Sequence, residues 1–176
     1  MPVGDAELVA RVLAGDDRRA FAELVRRHQS AVRGLLRRLT AGDGALADDL
    51  AQETFLRAWR SLASWRGDAR LSSWLYRIAY NGWASQVRRA PEPEPPEPAP
   101  PRPAADGAID RHDLGRALAM LREEERTALA LAYGRDVTHE EAAAILDWPL
   151  GTLKTHLLRG REKLRRILAP GLEGTP

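Results

Sequence analysis

Apolar residues recur along this chain at three- and four-residue spacing, never in sustained alternation, so the pattern predicts helices and no sheet. Leu8, Val9, Val12 and Leu13 mark a short helix that Asp5 can cap and Gly15 ends. Asp16 or Asp17 opens a longer one, with Phe21, Leu24, Val25, Val32, Leu35, Leu36 and Leu39 on one stripe and Gly42 and Gly44 breaking it. A third runs from about Leu46 to Leu62 and carries Leu46, Leu50, Phe55, Leu56 and Trp59. Residues 63–71, with Gly67 and Asp68, read as a loop. Ser72 or Ser73 caps a fourth helix bearing Trp74, Leu75, Ile78, Ala79 and Val87, which ends near Arg89. Trp59 and Trp74 are expected in the core.

Periodicity resumes near Asp110. Ile109, Leu114, Ala117, Leu118 and Leu121 form one stripe. Glu123–Glu125 suit the positive start of the next helix, which buries Leu129, Leu131 and Tyr133 before Gly134. Thr138 and Glu141 then have the spacing of a capping box, each satisfying the other's end of a short helix with Ala142, Ala143, Ile145 and Leu146. Asp147-Trp148-Pro149 interrupts it. A last helix runs from about Leu150 to Leu168, with Leu153, Leu157, Leu164, Ile167 and Leu168 facing inward.

Between the two sets lies PEPEPPEPAPPRPAA, residues 91–105, with eight of the chain's twelve prolines. Proline lacks an N–H and fixes φ, so neither helix nor sheet forms there. The stretch reads as an extended spacer of roughly 45 Å at about 3.1 Å per residue. The expectation is an all-α chain of two small helical domains, residues 5–90 and 106–170, joined by a proline-rich linker at 91–105.

The net charge of +2 conceals a segregation. Residues 1–90 hold 15 basic and 10 acidic side chains, residues 106–147 hold 5 and 10, and residues 148–169 hold 6 and 1. Such a chain can touch nucleic acid with one face and protein with another; solvated helix faces would leave the same record. With no cysteine among 176 residues, disulfides, thiolate metal sites and cysteine nucleophiles are excluded. No apolar run approaches the roughly 20 residues that span a bilayer, and no apolar signal core follows Met1, so a cytoplasmic protein without membrane insertion is expected.

A short capped helix, a tight break and a longer basic helix make a helix-turn-helix pattern over residues 138–168. Opposite Leu153, Leu157 and Leu164 stand Thr152, Lys154, Thr155, His156, Arg159 and Arg161, the candidate DNA readers, with Lys163, Arg165 and Arg166 beyond them. The first residues of such a helix reach base edges in the major groove, and arginines further along meet phosphates. The alternative reading of the same pattern is a basic amphipathic helix on the surface of a bundle, and the pattern favours DNA binding over it. L-R-E-E-E-R-T-A-L-A-L-A-Y (121–133) followed by T-H-E-E-A-A-A-I-L-D-W-P-L-G-T-L-K-T-H-L-L-R-G-R-E-K-L-R (138–165) resembles the C-terminal domain of bacterial extracytoplasmic-function sigma factors. The resemblance implies binding to the promoter −35 element. Asp147 stands where that family usually has a turn glycine, and His156 where an arginine is common.

The first half resembles the same family. D-D-L-A-Q-E-T-F-L-R-A-W-R (48–60) is similar to the sigma surface that docks on the clamp helices of the polymerase β′ subunit. Asp48, Asp49, Gln52 and Glu53 share one helical face, while Phe55, Leu56 and Trp59 supply an apolar anchor. L-S-S-W-L-Y-R-I-A-Y-N (71–81) resembles the segment that opens and reads the −10 element, and the loop at 65–72 the place where a flipped base is captured. Arginines interleaved with aromatics suit single-stranded DNA. The candidate −10 contacts are Arg66, Arg70, Ser73, Arg77, Tyr80, Asn81 and Arg88. Tyr80 replaces a usual basic residue and Ser85 a frequent aspartate.

The resemblance therefore implies an RNA polymerase sigma factor. Its partners would be core RNA polymerase, through β′ and the β subunit, and promoter DNA, with room for an anti-sigma protein. His28, His112, His139 and His156 are scattered, no metal-ligand spacing joins them, and no phosphate-binding loop or nucleophile elbow occurs. No cofactor, no metal and no enzymatic activity are expected of the chain itself.

Overall fold

The computed structural model describes residues 3–89, 111–134 and 137–168. The proline-rich stretch 91–105 and Ile109 lie outside the described residues. Helices α1 (Asp5–Gly15), α2 (Arg18–Leu39), α3 (Gly44–Ser61) and α4 (Leu71–Arg89) build the first lobe, with a 3-10 turn at Leu62–Ser64. Helices α5 (Arg111–Ala119), α6 (Glu123–Ala132), α7 (His139–Leu146) and α8 (Leu150–Leu168) build the second. Among the described residues there is no strand.

Local chemistry sets the boundaries. Gly4 is the N-cap of α1, so Asp5 sits inside the first turn and not at the cap. There it favours the positive helix end, and its carboxylate reaches across to Arg27 (3.1 Å) and His28 Nε2 (2.8 Å) on α2. Asp17, not Asp16, caps α2: its Oδ1 accepts from the Arg19 and Ala20 N–H groups at 3.0 Å, and Oδ2 holds Arg11 at 2.7 Å. The Ala20 N–H first, then Arg11, hold this carboxyl below its usual range. Asp43 caps α3 through the Leu46 N–H. Ser72 and Ser73 fall within the first turn of α4 and do not cap it.

The α2 stripe of Leu24, Val32, Leu35, Leu36 and Leu39 is almost wholly buried and forms the axis of the first lobe. Ala47, Ala51 and Ala58 make a small-residue face on α3, so α2 and α4 both pack against it. On α4 the inward stripe is Leu75, Tyr76, Ala79 and Trp83, at helical spacing. Trp83 (2% exposed) and Tyr76 (1%) are therefore the large core aromatics. Trp74 and Trp59 are only half-buried. One residue before Leu75, Trp74 is rotated about 100° off the stripe, and Trp59 stands edge-on to Phe21 at 4.8 Å on the rim of the lobe. Leu13 is likewise exposed, because α1 buries only Leu8, Val9 and Val12.

Glu23 receives Arg26 and Arg27, both at 2.7 Å, which pull its carboxyl down to about 2. The folded pKa lies below the unfolded value of 4.5, so the pair's contribution is whole above pH 4.5 and is lost as pH falls toward 2. Glu23→Gln is expected to flatten the decline of stability between pH 4.5 and 2, measured by denaturant melts at stepped pH, and to leave the slope above pH 5 unchanged.

In the second lobe α6 packs on α8, and Leu129, Leu131, Leu153 and Leu157 fill the seam. Gly160 lets the two helices approach: a Cβ there would lie 2.7 Å from Leu129 Cδ1. Glu125 is 2% exposed and holds Lys163 Nζ at 2.7 and 2.8 Å, while also accepting from the Arg122 N–H at 3.1 Å. Burial pushes the Glu125 carboxyl up, but Lys163 and the Arg122 N–H together outweigh it and keep it below the usual range. Tyr133 does not enter the core: it follows the last turn of α6, and its exposed hydroxyl accepts from Arg161 Nε at 2.8 Å.

Candidate nucleic-acid and partner interfaces

The α7–α8 unit is a helix-turn-helix. Thr138 Oγ1 accepts from the Glu141 N–H (3.1 Å) and Glu141 Oε2 accepts from the Thr138 N–H (2.8 Å), so the capping box read from the sequence is formed. Asp147 ends α7 in the left-handed region at φ 56°. It adopts the conformation that glycine favours in such turns. The Trp148 N–H then donates to Ala143 O at 3.0 Å and the Leu153 N–H to Pro149 O at 3.1 Å, which fixes the direction in which α8 leaves.

Leu153, Leu157 and Gly160 face inward, and Thr152, Lys154, Thr155 and Arg159 are exposed on the opposite side. His156 is half-buried, its ring 5.2 Å from that of Trp148 and tilted by 46°. Thr155 Oγ1 donates back to Gly151 O, leaving its lone pairs and methyl outward. Arg161 turns away from this group toward α6, bonded to the Tyr133 hydroxyl with its guanidinium 5.4 Å from the ring centroid. Two residues the sequence reading passed over belong to the surface. Trp148 orients His156, which sequence adjacency to the turn could have suggested. Leu158 is 62% exposed beside Thr155 and Arg159, although its type argues for burial.

On α3, Asp49 and Gln52 are exposed, Glu53 binds Arg57 at 2.7 Å, and Asp48 lies 3.3 Å from Arg33 Nε on α2. Beside them opens an apolar groove of about 700 Å³ between α2 and α3. Phe55, Leu56 and Trp59 form one wall, and Phe21, Ala22 and Val25 of α2 the other. Leu56 is 52% exposed. The α2 wall was missed from the sequence because Phe21 and Val25 read as core; they are only half-buried.

The remaining candidates lie on α4 and the loop before it. Trp65 Nε1 donates to Ala69 O at 3.0 Å and closes the loop on itself, with Arg66 and Arg70 exposed. Asn81 and Arg88 are exposed, and Arg88 donates to Ser85 Oγ. Tyr80 is half-buried against Trp83; burial first, then the charge of Glu123, push its hydroxyl pKa up. Ser73 and Arg77 are turned to the second lobe. Ser73, 5% exposed, donates to Glu141 Oε1 at 3.0 Å, and Arg77 donates to Ala144 O at 3.2 Å. Among the described residues no group of His, Asp and Glu is arranged to hold a metal ion, and no helix is long and apolar enough to cross a membrane.

Fold and surfaces define a pair of helical lobes, one ending in a helix-turn-helix and the other presenting an acidic face beside an apolar groove. Residues 24–91 match the family model for sigma-70 region 2, and residues 111–164 that for sigma-70 region 4. The RNA polymerase sigma-H factor of Pseudomonas aeruginosa is 33% identical, over 94% of this chain and 94% of its own. The ECF RNA polymerase sigma-E factor of Escherichia coli strain K12 is 34% identical, over 94% of this chain and 95% of its own. The sigma factor RpoE of Bartonella quintana, solved in complex with the anti-sigma factor NepR, superposes with a TM-score of 0.71 at 28% identity, over 86% of this chain and 98% of its own. The chain belongs to the extracytoplasmic-function group of the sigma-70 family of RNA polymerase sigma factors.

Proposed function

We propose that this chain works as two readers and a dock in the cytoplasm. The first lobe, residues 5–90, docks on core RNA polymerase with Asp48, Asp49, Gln52 and Glu53, and with Phe55, Leu56 and Trp59 in the α2–α3 groove. Its basic face, through Arg66, Arg70, Ser73, Arg77, Tyr80, Asn81 and Arg88, opens and reads the −10 element. The second lobe, residues 106–170, reads the −35 element with Thr152, Lys154, Thr155, His156 and Arg159 in the major groove. Arg161, held by Tyr133, meets the DNA backbone at the edge. Residues 91–105 tether the two, so two modest contacts add as effective concentration. The chain itself catalyses nothing in this reading; RNA synthesis belongs to the polymerase.

The observation that carries it is the coexistence on one chain of a capped, left-handed-turn helix-turn-helix and an acidic face beside an apolar groove. A stand-alone regulator needs only the first. The test is transcription by core polymerase plus purified chain on genomic templates. Transcripts with shared hexamers upstream of their starts are expected, and no promoter-specific transcript on any template would sink the reading.

Side chains on α8 should separate by role. Lys154→Ala, at the first turns, is expected to cost about 1–3 kcal/mol on the preferred duplex and to relax preference at one base pair. Arg166→Ala, three turns on, should weaken all duplexes alike and lower the salt slope of binding by about one. Fluorescence anisotropy on matched and mismatched duplexes at several salt concentrations checks both.

A further inference from the structure

One side chain on α8 breaks the character of the face that carries it. A helix turns about 100° per residue, so Leu158 lies that far round from the buried Leu157, on the side turned from the core. It is 62% exposed, and among the described residues it is the one large apolar side chain of α8 left in solvent. A lone surface leucine is ordinary. This one is set apart by its neighbours, because Lys154, Thr155 and Arg159 stand exposed within one turn of it.

Thr155 supplies the second observation. Its Oγ1 donates to Gly151 O at 2.9 Å, one turn back along its own helix. With that proton committed, the hydroxyl has none to offer a base, and the methyl group remains on the outer face. Three residues apart, Thr155 and Leu158 are neighbours on the helix surface, their Cβ atoms about 5–6 Å apart. Lys154 falls about 40° to one side of Leu158, and Arg159 about 40° to the other side of Thr155. The two carbon groups therefore form a short strip with a cation on each flank.

The floor of the major groove is a row of hydrogen-bond donors and acceptors, with a single apolar feature, the C5 methyl group of thymine. The flanking Lys154 and Arg159 are donors that suit guanine O6 and N7 or a phosphate. A leucine against such a polar edge strips water from it and returns no hydrogen bond. Against a thymine methyl it buries carbon on carbon. A protein partner would cover a far larger apolar patch than one leucine and one methyl group, and cations on both flanks match DNA.

We infer that Leu158, with the Thr155 methyl beside it, is a specificity-determining residue of the −35 contact: it rests on the C5 methyl of a thymine and sets a preference for an A·T pair there. This rests on the proposed seating of α8 in the −35 major groove. The preference arises from carbon contact alone, so it separates thymine from uracil, which pairs in the same way.

Deoxyuridine gives the test, since it lacks only the methyl group. In a promoter that the holoenzyme transcribes, each thymine of the −35 hexamer, on either strand, is replaced singly by deoxyuridine, and binding of parent and variant holoenzymes is titrated. At one thymine, or two adjacent ones, the parent should lose about fourfold in affinity, the worth of one buried methyl group. Leu158→Ala should show no loss at that position, and Leu158→Met should keep it. With cytosine placed there, 5-methylation should strengthen binding of the parent and leave Leu158→Ala unchanged. Alanine is a good helix former and the site is exposed, so helix content by circular dichroism should be retained. A uridine penalty at no position, or one that survives in Leu158→Ala, overturns the inference. So does a −35 hexamer without an A·T pair. Failure of the −35 reading itself gives a separate result: the parent holoenzyme is then indifferent to every base-pair change in the hexamer.

Discussion

A chain carrying Asp49→Lys and Glu53→Lys is expected to lose affinity for core RNA polymerase by more than about a hundredfold in a pull-down titration or fluorescence binding assay. Asp49 is exposed and has no ion pair among the described residues, so its charge is free for a partner. Glu53 is tied to Arg57 one turn on, and reversal places two cations four residues apart, which costs the helix only about 0.2–0.5 kcal/mol. Helix content therefore survives. Removing one partner of a hydrogen-bonded interfacial charge pair costs about 2–5 kcal/mol, and each 1.4 kcal/mol is tenfold. Reversal at two positions beside the apolar groove thus exceeds two decades unless the face is unused. Duplex binding by α8 should be unaffected. Unchanged polymerase affinity would refute the docking surface while leaving the helix-turn-helix intact.

The largest stability effect is expected at Gly160. Replacement by leucine puts Cβ 2.7 Å from Leu129 Cδ1 and 3.4 Å from Glu125 Cβ, in the seam between α6 and α8. Leu129 is 1% exposed and Glu125 is bound to Lys163, so neither can yield into solvent. Gly→Leu gains up to about 1 kcal/mol in helix propensity, against about 1–3 kcal/mol or more for overpacking a filled core. The clash wins. A lobe of this size has little stability to lose, so it should unfold at 37 °C and duplex affinity should vanish, although no residue on the outward face of α8 has changed. Two-probe melting would show the second lobe lost and the first retained. Gly160→Ala, whose Cβ would lie 2.7 Å from Leu129 Cδ1 and 3.2 Å from its Cγ but carries no further atoms into the seam, should fall between the parent and Gly160→Leu.

The helical order and the two lobes were legible because long amphipathic stripes leave a strong periodic record, and Thr138 with Glu141 signs a helix start that the structure forms as read. Less legible was which side of a stripe is deepest. Trp74 and Trp83 look alike in sequence, yet one residue of phase puts the first at the flank and the second in the core. Tyr133 reads as core until Arg161, 28 residues on, claims its hydroxyl. The candidate surfaces on α3 and α8 could be read from residue type and spacing. The α2 wall of the groove could not, because Phe21 and Val25 serve both core and rim. Nor could the pairing of Ser73 with Glu141, since a contact 68 residues apart leaves no periodic trace.

Asp147 has a consequence for the motion of the helix-turn-helix. A non-glycine residue at φ 56° carries steric strain of roughly 1 kcal/mol in the native turn. The same side chain restricts the unfolded ensemble, where glycine would roam most freely, and that entropy works in the opposite direction. The two nearly cancel, so net stability changes little while the joint itself is stiffer than a glycine would make it. The angle between α7 and α8 is then inherited from the backbone, and a duplex meets a recognition helix already aimed.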